Sequence, residues 1–206
     1  MELFPLKILK KILKPILVSP QVILIKLYFL VEKLVESILS NKISRAGRDV
    51  LINKIDEEYR RIRHKSQFGN IVSFDLYTPN ETCLFRKNSF SDKEPEMLEW
   101  IEEFGGDGAF FDIGANIGIY SIYYAKLMNG NVYSFEPSVF NLKQLAKNIS
   151  INKLSKKISI IPNPLSDNVG FAPFINSNIS EGGALNSFGV SYGFDGNDIE
   201  NVIEYS

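Results

Sequence analysis

One cysteine, one histidine and one tryptophan in 206 residues close off several chemistries at once. With Cys83 alone, neither an intramolecular disulfide nor a cysteine-based zinc cluster can form. A single thiol fits a reducing cytoplasm. With His64 alone, a multi-histidine metal site or a Ser-His-Asp triad would have to be built around that one ring. His64 lies in the polar run YRRIRHKSQ, which reads as the solvated face of a helix. Long apolar runs are missing too. The stretch MELFPLKILKKILKPILVSPQVILIKLYFLVEKLVESIL is broken by Lys14, Pro15, Pro20, Lys26 and Glu32. It never reaches the roughly 18 uncharged apolar residues of a membrane span. No small-residue cleavage site follows a clean apolar core, so no secretory signal is expected. The sequons at Asn80, Asn148 and Asn178 then read as chance matches.

Net charge is also nearly absent, at −1, but its distribution is uneven. Residues 1–65 hold fourteen Lys/Arg and seven Asp/Glu, a balance of +7, and residues 66–206 hold nine and seventeen, a balance of −8. The acidic part argues against a nucleic-acid partner, and the basic part suggests an anionic neighbour. Leu6, Leu9, Leu13 and Ile16 share one helical face, with Lys7, Lys10, Lys11 and Lys14 around it. Leu27, Leu30, Leu34 and Ile38 make a second apolar face. Helices of this kind either lie on a membrane surface or pack on the domain or a partner helix. The expectation is a cytoplasmic protein whose residues 1–40 can touch the inner face of the membrane.

The periodicity predicts helices over 5–14, 21–40 and 45–65, then short strands in NIVSFDLYTP and TCLFRK. SDKEPEMLEWIEEF reads as a helix capped by Ser or Asp, with Met97, Leu98 and Ile101 turned inward. Strand and helix alternate after it: AFFDI, IGIYSIYYAKLM, NVYSFE, VFNLKQLAKNISIN, KISIIP. That alternation means βαβ units and a parallel sheet. The glycine- and asparagine-rich tail from Ser166 reads as loop or ragged hairpin. Residues 1–66 form a basic amphipathic helical extension in this reading, and residues 67–206 an α/β domain.

The stretch FFDIGANIGIYS carries the chemistry. Gly114 and Gly118 allow a sharp turn and close approach of a ligand. The following helix presents its free N–H groups to the same place. The dinucleotide spacing G-x-G-x-x-G fails, because positions 114, 116 and 119 are Gly, Asn and Ile. Asp112 at the strand end would repel a pyrophosphate and suit an ammonium group. Glu136 closes the next strand 24 residues later, where an acidic residue accepts both hydroxyls of a ribose. Asp167 follows the third strand, near the place of an adenine. A ribose, an adenine and a zwitterionic end together describe S-adenosyl-L-methionine.

KEPEMLEWI, FFDIGANIGIYS, YSFEPSVFNLKQLAKNISIN and NPLSDNVG also resemble the FkbM family of class I methyltransferases, with EGGALNSFG as a further matching feature. The resemblance covers roughly residues 90–190. It implies a Rossmann-like, doubly wound sheet and methyl transfer to an oxygen of a sugar, glycan or related small molecule. By position, Asp112, Gly114, Ala115, Asn116 and Gly118 would line the methionine end. Glu136 with Pro137 would take the ribose, and Ser166 and Asp167 would sit by the adenine. Glu94 and Glu96 would reach the methionine amine. No metal and no catalytic base follow from the resemblance. Family members continue past the point where this sequence stops, into a fourth parallel strand. The chain is therefore expected to be the N-terminal part of a methyltransferase, inactive by itself. The alternative is a non-catalytic half-domain that docks to a membrane or a partner.

Overall fold

The computed structural model describes residues 20–38, 50, 53–54, 58–193, 195–199 and 203–205. The expected helix over 5–14 lies outside them. The chain divides into two compact units, 1–54 and 55–206. In the first, helix α1 spans Pro20–Ile38, close to the expected 21–40.

The second unit opens with an antiparallel hairpin, β1 (Tyr59–Lys65) and β2 (Ile71–Tyr77), in register from Tyr59 opposite Tyr77 to Lys65 opposite Ile71. The expected helix over 45–65 is thus corrected at its C-terminal end. Four cations and a histidine in seven residues imitate a solvated helix, yet burial alternates with period two: Ile62 and Ser66 are buried, and the His64 side chain is only 14 % exposed. Arg61 meets Asp75 across the hairpin, donating from Nε and Nη2 at 2.8 and 2.9 Å.

TCLFRK is corrected as well: it belongs to helix α2, Glu81–Asn88. The Asn80 side chain accepts from the Cys83 amide at 2.8 Å, Glu81 sits in the first turn, and Arg86 and Lys87 close the last. A good cap and charges matched to the helix ends outweigh the strand preference of four residues. Helix α3, Pro95–Phe104, starts with Pro at its first position and buries Leu98 and Ile101. Its N-cap is Glu94, without a side-chain cap bond, where Ser or Asp was expected.

The alternation that follows is as expected: β3 (Phe110–Ile113), α4 (Ile119–Leu127), β4 (Val132–Phe135), α5 (Val139–Ile151) and β5 (Ile158–Ile161). The strands form a parallel sheet in the order β3-β4-β5. This is an α/β, Rossmann-like arrangement, one half of a doubly wound sheet. Its core combines Phe110, Val132 and Ile158 from the strands with Ile122, Tyr123, Leu145 and Ile149 from the helices, and with Phe74 and Leu76 from β2. The other sheet face is open among the described residues: Phe111 and Ile113 are 57 % and 67 % exposed, and Phe111 stacks on Tyr133 at 5.3 Å. The tail makes a small antiparallel sheet, order β7-β6-β8, from Phe174–Asn176 (β6), Ser187–Phe188 (β7) and Ile203–Tyr205 (β8).

One helix face docks β2 through amides. Gln144, Asn148 and Asn152 follow one another at four-residue spacing along α5 and into its C-cap, and all three are buried. Gln144 donates to the Tyr77 carbonyl, Asn148 accepts from the Tyr77 amide, and Asn152 both accepts from and donates to Asp75 backbone. The backbone groups of this strand edge are satisfied by side chains instead of by another strand.

Candidate functional site

The turn between β3 and α4 is built on three left-handed residues in alternation: Gly114 (φ 77°), Asn116 (φ 53°) and Gly118 (φ 84°). Asparagine tolerates this region better than other side-chain-bearing residues. At Gly118 a Cβ would also come within 2.4 Å of Leu145 Cδ1, so α5 presses directly on the helix start. The Gly114 and Ala115 amides both donate to the Phe135 carbonyl, which ties the turn to the end of β4.

Glu136, the next residue, organises this corner. Its Oε2 accepts from the Asn116 amide at 2.7 Å and its Oε1 from the Ser138 amide at 2.8 Å. It is only 4 % exposed, and burial pushes its pKa above the usual carboxylate range against those hydrogen bonds. Asp112 is buried as well, and burial raises its pKa. Its carboxylate accepts from Ser121 Oγ, which also meets Ser134 Oγ at 2.6 Å. It therefore faces the α4 side of the sheet, and it is absent from the cavity lining.

The Glu181–Gly183 segment of the tail closes over the turn. The Glu181 carbonyl accepts from Asn80 Nδ2 and Cys83 Sγ, and the Gly182 carbonyl accepts from Arg86 Nε at 2.8 Å. The Gly183 carbonyl accepts from Asn116 Nδ2 at 2.6 Å and Asn141 Nδ2 at 3.1 Å. A Cβ at Gly183 would fall 2.1 Å from Asn178 Oδ1, so any side chain here would displace the Asn178 amide. The Asn141 side chain also hydrogen-bonds Glu136. Asn116 and Asn141 thus bridge the carboxylate and the tail loop.

Two cavities lie near this corner, one lined by Asn116, which bonds Glu136, and the other by Pro137, the residue after it. The first, of about 230 Å³, is lined by Gly114, Ala115, Asn116, Ile117 and Tyr120, with Glu94, Arg86, Lys93 and Ala184 around them. Tyr120 donates to Glu94 Oε2 and Lys93 to Glu94 Oε1, each at 2.8 Å. Lys93 and Tyr120 hold the Glu94 carboxyl below its usual range, while burial and Glu94 push the Tyr120 hydroxyl up. The second, of about 480 Å³, is lined by Pro137, Pro162, Ser166, Asn168, Phe171 and Phe188, among others. Asp167 lies beside it, in a hollow shared with Ser166.

Of the residues expected from sequence, Glu94, Gly114, Ala115 and Asn116 share the first cavity, and Pro137 and Ser166 the second. Gly118 caps α4 beneath the turn, Glu136 is buried and lines neither cavity, and Glu96 is exposed on α3 outside either. Arg86, Lys93 and Tyr120 were missed as cavity residues. Arg86 was hidden by reading its segment as a strand, and nothing local in the sequence marks Lys93 or Tyr120 as lining a cavity. His64 is not at the site. Its ring packs edge-on against Phe90 and Tyr123, with Nδ1 2.9 Å from Ser91 Oγ and Nε2 3.6 Å from Glu102 Oε1. The solvated-helix reading of this residue is corrected: its partners lie far along the chain, on α3 and α4 and in the segment between α2 and α3.

Comparison with protein-family models finds no match, and comparison with curated proteins finds none. Among solved structures, the chain is similar to TYW2 from Pyrococcus horikoshii in complex with MeSAdo, at 19% identity and TM-score 0.35, over 53% of this chain and 38% of that one. It is similar also to Trm5 from Methanocaldococcus jannaschii in complex with adenosine, at 22% identity and TM-score 0.29, over 52% and 31%. The chain thus spans about a third of the length of each. Likeness this distant says nothing of what the chain does.

Proposed function

We propose that the chain is part of an S-adenosyl-L-methionine-dependent methyltransferase. One observation carries the reading. The first cavity sets the tight left-handed turn beside both signs of charge, Glu94 against Arg86 and Lys93. A zwitterionic amino-acid end asks for that combination, and a pyrophosphate does not. Glu94 would take the ammonium, and Arg86 and Lys93 the carboxylate. At about 230 Å³ the cavity is smaller than the ~300–1,000 Å³ of a whole-ligand site, so it suits one end of an extended molecule. The proline- and phenylalanine-lined second cavity suits a flat base. Glu136, at the end of β4, is the acceptor for ribose hydroxyls. Its two oxygens accept from the Asn116 and Ser138 amides, so the hydroxyls would share or replace those bonds.

When bound, the cofactor supplies an electrophilic methyl group on a sulfonium. The chain's own contribution is to position it. Neither Tyr120, held protonated, nor Glu94, held ionised by Lys93, is matched to proton abstraction near neutral pH. The FkbM resemblance supports a hydroxyl of a sugar, glycan or related small molecule as acceptor, although no family model matches. A second reading, a non-catalytic docking module, draws support from the open β3-β4-β5 face with its exposed Phe111 and Ile113.

The test is thermal melting of the chain with S-adenosylhomocysteine or with NAD. A Tm rise with the first alone supports the methyltransferase reading, and a rise with NAD alone refutes it. Methyl transfer by the isolated chain to any sugar hydroxyl would remove the docking reading.

A further inference from the structure

α1 is a helix whose large apolar side chains are not covered. Ile23, Leu24, Leu27, Leu30 and Val31 are 49–63 % exposed. At 3.6 residues per turn they fall on one stripe roughly 120° wide. Lys26 and Lys33 are exposed, at positions along one border of this stripe. So placed, lysines keep their ammonium groups in water while their stems follow an apolar surface. Among the described residues no helix is long and apolar enough to cross a membrane. A stripe of this width beside lysines suits a helix lying in the plane of a bilayer interface.

Charge decides which surface. Within α1 the two lysines balance Glu32 and Glu36. The sequence before it tips the balance: residues 1–19 hold Lys7, Lys10, Lys11 and Lys14 against Glu2 alone. Residues 66–206 carry a balance of −8, so the attraction to an anionic surface is confined to this end. Each lysine near such a surface strengthens binding about fivefold.

We infer that α1 binds an anionic lipid surface, with the Ile23–Val31 stripe in the acyl boundary and Lys26 and Lys33 at the headgroups. This anchor is independent of what the second unit binds.

The experiment is sedimentation of the full chain with vesicles of phosphatidylcholine alone, or of phosphatidylcholine with one third phosphatidylglycerol. The expected result is pelleting with the mixed vesicles only, reversed by high salt. The variant carrying both Leu27→Glu and Leu30→Glu should bind at least about tenfold more weakly, and Lys10→Glu with Lys11→Glu should also weaken it, with the thermal transition of the second unit unchanged. Three results overturn the proposal: no pelleting with either vesicle, equal pelleting by the Leu27/Leu30 variant, or a dimer in light scattering that the same variant dissolves. The last would show that the stripe pairs with a second copy.

Discussion

Asn148→Leu tests whether the amide face of α5 holds the second unit together. Asn148 is fully buried. Its Oδ1 accepts from the Tyr77 amide at 2.9 Å, and its Nδ2 donates to the Ile117 carbonyl at 2.8 Å. The first bond joins β2 to α5, and the second joins α5 to the glycine turn. Leucine has similar volume and neither polar atom. The substitution leaves one buried N–H and one buried C=O unpaired. Each costs about 1–3 kcal/mol, so the expected loss is about 2–6 kcal/mol. For a unit of this size, 1 kcal/mol moves Tm by about 2–4 °C. The expected drop is therefore roughly 4–24 °C by scanning calorimetry. Asn148→Asp keeps the acceptor for Tyr77 but loses the donor to Ile117 and buries a carboxylate, so it should fall in the same range at neutral pH and recover part of the loss in acid. A Tm change below about 2 °C for the leucine variant would refute the reasoning, because either backbone group alone accounts for more.

Three further outcomes are expected. Gly118→Ala forces a left-handed alanine, costing about 1–2 kcal/mol, and drives its Cβ into Leu145, adding about 1–3 kcal/mol of overpacking; chemical denaturation should show the sum, while Gly106→Ala, with open space at its Cβ, should be near neutral. Burial raises the Asp112 carboxyl, so its contribution to stability is full below the unfolded pKa near 4 and is lost as pH rises through the folded value; the Tm of Asp112→Asn relative to the parent should therefore rise as pH is raised above about 4, and a flat or falling difference contradicts the assignment. The Cys83 thiol is buried and pushed up to about 12, so a thiol reagent at pH 8 should label the native chain far more slowly than the denatured one.

The parallel half-sheet was legible because its signals are local and agree with one another. FFDI, VYSF and ISII are short apolar runs set between helices, and each ends at a turn. The glycine turn was legible for the same reason, since positive φ at 114 and 118 requires glycine. The N-terminal border of the unit was not. Ile62 and His64 carry the strand alternation of β1 inside a run of cations, and it takes Phe90, Tyr123 and Glu102, distant in sequence, to cover them. Asn80 decides α2 by one capping bond that local propensity outweighs on paper. The tail was least legible: EGG reads as loose loop, yet five side chains from α2, its cap, the glycine turn and α5 hold its three carbonyls. Asp112 shows the opposite gap. Its place at the strand end was right, but which side of the sheet it faces was set by Ser121.

The central claim is that the corner between β3 and β4 receives an adenosyl amino acid. Calorimetric titration of S-adenosylhomocysteine into the full chain, beside Glu136→Ala, addresses it directly. Saturable binding, weakened about tenfold or more by the substitution, is the expected result. No heat of binding in a chain that melts cooperatively, or binding that the Glu136 substitution leaves unchanged, would contradict it.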